Sequence, residues 1–255
     1  MKRMLTGMLS LAATLALGVS GAAAETLQFT GSPHFLPAPV MVIGSYSPEG
    51  QANFAPVHRG GVLASAAMPK EGEPGEPGTM RFAVTIKDAT KSFTYDCVKA
   101  TRACTINFPS LRQLAETDLL GSFSGRPLAD GKPLLQANGG YQDKLKVTGL
   151  TATKGEAVNA PMIKEFPVSL ECELEDEIAF DPASKSRMLV LKVKKFWADS
   201  DYLDADGGIN VLADGPDSSL VFFSHSHAEN AGYFGYGEFV GKSGEVSKQY
   251  REKQE

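Results

Sequence analysis

The pattern that most restricts how this chain can fold lies in two long alternating runs. From Val168 to Ile178, the residues Val168, Leu170, Cys172 and Leu174 alternate with polar neighbours, which is the period of a half-buried strand. From Met188 to Trp197 the pattern returns, with Leu189, Leu191 and Val193 set against Val190, Lys192 and Lys194. Val40 to Tyr46 is a compact apolar run between Pro39 and the turn Ser47-Pro48-Glu49-Gly50, and reads as another strand. Met80 to Ile86 and Ala103 to Phe108 are further strands, the second stopped by Pro109. Ser92 to Ala100 and Leu111 to Leu120 read as short helices. Strands outnumber helices, and the helices follow them irregularly. A doubly wound sheet requires regular alternation. The expected class is therefore mainly β with minor α: an antiparallel barrel carrying a few short helices, with no internal repeat.

The first residues read as an address. Lys2 and Arg3 precede an uncharged stretch from Met4 to Val19, and Gly21-Ala22-Ala23-Ala24 supplies small residues before Glu25. This is the layout of a cleavable secretory signal peptide over residues 1–24, with cleavage expected after Ala24. The apolar run is short for a membrane-spanning helix of about 20 residues. No cysteine lies near the cleavage site, and no Arg-Arg pair precedes the run. The reading is a periplasmic or secreted protein, exported unfolded, with no stable membrane anchor. Residues 25–255 then form one domain, long enough to bury a sizeable core. Within it, residues 68–79 read as an exposed Pro/Gly-rich loop and residues 242–255 as a flexible tail. The net charge is −5, and loss of Lys2 and Arg3 makes it more negative. No Lys/Arg run appears, which argues against nucleic acid or an anionic membrane as a partner.

Several chemistries are missing. No dinucleotide-binding glycine fingerprint, P-loop, nucleophile elbow or His-Glu-x-x-His is present. Cys97, Cys104 and Cys172 allow at most one internal disulfide, and no CxxC supports zinc or thiol redox chemistry. They read as small core residues, with a Cys97–Cys104 bridge left open. His225-Ser226-His227 places two imidazoles on one face of a strand but lacks a nearby third ligand, so it reads as exposed polar residues. Asp199, Asp201, Asp204 and Asp206 crowd a glycine-containing loop that lacks the closing Glu of a calcium site.

One segment points to a ligand. Between the strand ending near Ile86 and the helix starting near Ser92 lie Thr90, Ser92 and Thr94 with Lys87 and Lys91. Hydroxyls and a cation around a helix N-terminus suit a phosphate. The same residues also serve as an ordinary Ser/Thr cap that needs no ligand.

The order of short motifs along the chain adds to this. Pro37-Ala38-Pro39-Val40-Met41-Val42-Ile43-Gly44 is followed by Gly50-Gln51-Ala52-Asn53-Phe54-Ala55-Pro56. Then come Lys91-Ser92-Phe93-Thr94-Tyr95-Asp96 and Ala103-Cys104-Thr105-Ile106-Asn107-Phe108-Pro109-Ser110. Gly121-Ser122-Phe123-Ser124-Gly125-Arg126, Ala160-Pro161-Met162-Ile163 and Phe166-Pro167-Val168-Ser169-Leu170-Glu171-Cys172 complete the series. From about Phe35 to Gly241 the chain resembles the flavin reductase-like family, which includes flavoredoxin. The resemblance implies a split β-barrel of Greek-key type that binds FMN at or near a homodimer interface. It places Asn53, Ala55, Pro56, His58 and Arg59 along the isoalloxazine ring, and Lys91, Ser92 and Thr94 at the phosphate. Asn107 matches a motif position at the end of a strand. The chain departs from the family at His58-Arg59-Gly60-Gly61, where many relatives carry Ser or Thr followed by aromatic residues.

Three functions follow from the resemblance. The chain is an FMN-dependent oxidoreductase reduced by NAD(P)H or a protein donor, a non-enzymatic electron carrier served by a redox partner protein, or a binding barrel that has lost flavin. No catalytic acid or base is required by the first two, because the flavin carries the chemistry. The export signal weighs against NAD(P)H, which belongs to the cytoplasm.

Overall fold

The structure is a computed structural model that describes residues 36–64, 80–126, 143–213, 215, 218–227 and 230–237. The expected signal peptide, the Pro/Gly-rich loop at 68–79 and the tail lie outside the described residues, as do the side chains of His225 and His227.

Twelve described strands and three α-helices follow in order: β1 (Ala38–Pro39), β2 (Met41–Tyr46), β3 (Ala52–Val57), β4 (Gly60–Ala64), β5 (Arg81–Ile86), α1 (Phe93–Thr101), β6 (Ala103–Phe108), α2 (Leu114–Gly121), α3 (Lys144–Thr148), β7 (Ala152–Lys154), β8 (Pro161–Ile163), β9 (Val168–Ile178), β10 (Arg187–Ala198), β11 (Val221–His227) and β12 (Asn230–Gly235). The fold is mainly β, as expected. Each strand read from the sequence is present within a residue or two, and Ser92 caps α1 by accepting a hydrogen bond from the Tyr95 amide at 3.1 Å.

Seven antiparallel strands form the barrel sheet in the order β3-β2-β6-β9-β10-β5-β4. The pairing is nested. Hairpin β9–β10 lies at the centre, β6 and β5 flank it, and hairpins β2–β3 and β4–β5 close the two sides. The β2–β3 turn is shaped by Ser47, whose hydroxyl accepts from the amides of Glu49 and Gln51, and by Gly50 at φ +83°. That φ belongs to the left-handed region, where a Cβ is strained.

The inner face of this sheet is the main core. Leu170, Cys172 and Leu174 of β9 meet Leu189, Leu191 and Val193 of β10, joined by Met41, Ile43, Val84, Cys104, Ile106 and, from α1, Val98. The alternation of β9 predicts one buried face. Over Val168–Cys172, however, β9 is buried on both faces. The reason is a second layer: the β7–β8 ribbon and the turn that joins its two strands cover the outer face there. Two groups of polar residues make that docking possible. Asn107 donates from Nδ2 to the Val42 carbonyl and to Thr105 Oγ1, both at 2.9 Å, while its Oδ1 accepts from the Ile163 amide at 3.1 Å and from Ser169 Oγ at 2.9 Å. Glu171 accepts from the amides of Ala157 and Val158 at 2.7 and 2.9 Å and from the Trp197 indole at 2.7 Å. Burial pushes its carboxyl up, but hydrogen bonds from Trp197 and the backbone amides of residues 156–158 outweigh this and hold it below the usual range.

The three cysteines are free thiols and all are buried. Cys97 does not bridge to Cys104; Cys104 faces Cys172 in register across β6 and β9. Burial pushes Cys97 up to about 11 and Cys104 up to about 12, so both stay protonated and unreactive.

Candidate functional site

The two edge strands of the barrel, β3 and β4, are consecutive in the chain yet lie at opposite ends of the sheet order. Only His58 and Arg59 join them. Among the described residues β3 and β4 do not pair with each other, so the barrel is split along this seam. The Arg59 carbonyl accepts from the Thr85 amide at 2.7 Å, which fixes the link to β5. A cavity of about 520 Å³ opens at the split, a size suited to one cofactor.

The sequence-predicted residues divide at this cavity. Ala55, Pro56, His58 and Arg59 line it from the β3 side, and Ser92 and Thr94 line it from the start of α1. Asn53 stands behind them. It is 3 % exposed and donates from Nδ2 to Thr94 Oγ1 at 2.9 Å, tying β3 to the opening turn of α1. Gly125 makes room for this bond, because a Cβ there would fall 2.4 Å from Asn53 Oδ1. Next to it, Arg126 pairs with Asp96 at 2.5 Å and lies over the Phe93 ring. Lys91 is exposed, and it is not among the residues that line the cavity. Asn107 is not brought to the cavity either. All four of its hydrogen-bonding positions are used inside the barrel wall.

Lys87, which the sequence sets beside the start of α1 with Lys91, follows the end of β5 and supplies a cation at the cavity. Another lining residue was not singled out in the sequence. Phe223 comes from β11 and stacks on His58, with ring centroids 4.6 Å apart and planes tilted by 30°. No local signal could have found it, since β11 reaches the site by pairing with β1 in a separate three-stranded sheet.

Cations and hydroxyls both line the cavity. Arg59 and Lys87 are its cations, with Ser92 and Thr94 at the positive end of α1. The Thr90 hydroxyl is already committed, donating to Asp88 at 2.6 Å and holding that carboxyl below its ordinary value. Among the described residues no group of three His, Cys, Asp or Glu side chains could hold a metal ion, and no helix is long and apolar enough to cross a membrane.

Comparison with known proteins places this geometry in a family. The model of the flavin reductase like domain matches residues 33–223. Among solved structures, the chain is similar to flavoredoxin of Desulfovibrio vulgaris (Miyazaki F), with 21% identity and a TM-score of 0.67 over 88% of this chain and 100% of that one. It is also similar to flavoredoxin from Methanosarcina acetivorans, with 17% identity and a TM-score of 0.66 over 89% of this chain and 100% of that one. An FMN-binding protein from Thermus thermophilus, solved with bound 1-cyclohex-2-enone, aligns at 18% identity and a TM-score of 0.57 over 86% of this chain and 99% of that one. No curated protein matches the chain.

Proposed function

The chain belongs to the flavin reductase-like family, and from that premise we propose that it is an FMN-binding flavoprotein that passes electrons or hydride through the flavin. The observation that carries this reading is the cavity at the barrel split, lined by the cations Arg59 and Lys87, by the hydroxyls of Ser92 and Thr94 at the N-terminus of α1, and by the end of β3. When bound, FMN would supply the redox chemistry.

The chain's own residues fit the group. In the opening turn of α1, the Tyr95 amide is taken by the Ser92 hydroxyl and the Asp96 amide by the Ser92 carbonyl. The amides of Phe93 and Thr94 are then the helix-end donors offered to a phosphate. Thr94 adds a hydroxyl oriented by Asn53, and Lys87 adds a cation. Ala55, Pro56 and His58 offer the surface along which the flavin ring lies. Arg59 favours a ring that gains negative charge on reduction. Asn107 supports this arrangement from within the wall, by holding β2, β6, β8 and β9 together. No acid or base from the protein is needed.

The reading extends to an exported homodimer. The signal-like segment at residues 1–24 favours a periplasmic or secreted location, and with it a redox partner protein rather than NAD(P)H as donor. The test is a visible spectrum of the purified protein, followed by titration with FMN. Flavin bands or saturable uptake are expected. A colourless protein that takes up no FMN overturns the proposal in favour of a barrel without flavin. Anaerobic mixing with NADH and NADPH then separates the two redox roles: bleaching marks a reductase, and a flavin that stays oxidised marks a carrier.

A further inference from the structure

A second chamber adjoins the first on the other side of His58 and Phe223. Its volume is about 360 Å³, and Pro56, Val57, His58 and Phe223 are common walls of the two. The chambers differ in sign. Arg59 and Lys87 line the first, whereas the carboxylate Asp118 of α2 lines the second, with no Lys or Arg among its described lining residues.

The second chamber is also aromatic. Tyr233 of β12 stands edge-on to Phe223, with centroids 5.4 Å apart and planes at 73°, and His58 stacks on the same Phe223. The Tyr233 hydroxyl donates to Asp118 Oδ1 at 2.7 Å. Burial and the bond to Asp118 push that hydroxyl well above its ordinary value, so the proton stays on Tyr233. Asp118 is exposed and so keeps room for a second partner. Electron-rich ring faces beside a carboxylate attract a cation by quadrupole and charge together. An anion meets the wrong sign here, and finds the right one in the neighbouring chamber.

We propose that this second chamber is a binding subsite for a small planar aromatic cation, packed against Phe223 and Tyr233 with its charge toward Asp118. The subsite is built by α2, β11 and β12 together with the end of β3 and His58, which it shares with the first chamber. If FMN occupies the first chamber, the cation sits beside it across the His58–Phe223 pair, where an electron acceptor or a regulator would be placed.

The probes are benzamidinium, its neutral analogue benzamide and the anion benzoate, titrated into the full protein by calorimetry and ligand-observed NMR. Benzamidinium is expected to bind more tightly than benzamide, with benzoate weakest. Asp118→Asn keeps an acceptor for Tyr233 and should weaken benzamidinium about fivefold, as loss of one half-exposed ion pair does, while leaving benzamide unchanged. FMN is then titrated into the same samples. Binding of benzamidinium that persists at saturating FMN supports a separate subsite, and so does binding by a protein that takes up no FMN. Competition between FMN and benzamidinium, equal affinity for benzoate, or an Asp118→Asn variant that binds benzamidinium as well as the parent would each overturn the proposal.

Discussion

Asn53 and Asn107 are both buried asparagines on barrel strands, and they do opposite things. Asn107 sits within the wall and spends every donor and acceptor on its own protein. Asn53 sits at the split, where its described bond goes to Thr94, a residue that itself faces the cavity. The first arrangement fixes geometry, and the second passes geometry on to whatever enters. A buried polar residue is therefore informative about function through where its bonds end, because burial alone describes both cases.

Asn107→Ala breaks the saturated side of this comparison and carries the largest expected effect. It removes four hydrogen bonds and strands their buried partners, so unfolding in urea should show a loss of about 3–5 kcal/mol. Asn53→Ala should cost only about 1–2 kcal/mol by the same measurement.

Lys144 sharpens the comparison from another direction. Its ammonium is buried and donates to the carbonyls of Phe54 at 2.7 Å and Leu120 at 2.8 Å, tying β3 to α2. Burial lowers it from the usual 10.5 to about 8. The unfolded chain holds that proton more tightly, so between about pH 8 and 10 unfolding takes up a proton. Stability contributed at this site should rise with pH across that window, by roughly 2–3 kcal/mol in all. The check is chemical denaturation at several pH values, with Lys144→Met as reference. A difference between the two proteins that stays flat from pH 7 to 10 would show that the amine is not held charged at low dielectric.

At the split, the predictions concern affinity. Thr94→Ala should weaken FMN by about tenfold, the worth of one good hydrogen bond, with little change in urea midpoint. Lys87→Ala should weaken FMN more than Lys91→Ala, because Lys87 lines the cavity and Lys91 does not. The reverse order, measured by fluorescence titration, would move the phosphate outward to the cap of α1. The smallest effect concerns the core: native protein should leave Cys97, Cys104 and Cys172 unlabelled by a thiol reagent, and denatured protein should release three equivalents.

Strand patterning was the legible part of this molecule. The alternation of β9 and β10 fixed both their existence and the face that carries the core, because side-chain period is a local property. The outer burial of Ser169 and Glu171 was not legible. Both are polar residues at outward positions, and only the docked β7–β8 layer explains why they are inside. In the site, the segments around Asn53–Arg59 and Ser92–Thr94 were visible as motifs. Phe223 and Tyr233 were not, since they arrive on the separate sheet of β1, β11 and β12, a long-range pairing that leaves no mark near either residue. Asn107 carried a motif but no hint of its role, because its partners come from four different strands.

The two-residue link at His58–Arg59 sets a limit on what the seam can admit. Val57 ends one edge strand and Gly60 begins the other, and three residue steps of fully extended chain span at most about 10–11 Å. Neighbouring strands lie about 4.8 Å apart, so where the link crosses, the tether is about two strand spacings long. The opening there is then at most as wide as one absent strand. A flat molecule can take that strand's place as a guest in the sheet, while a bulky one is held out by the length of the chain itself.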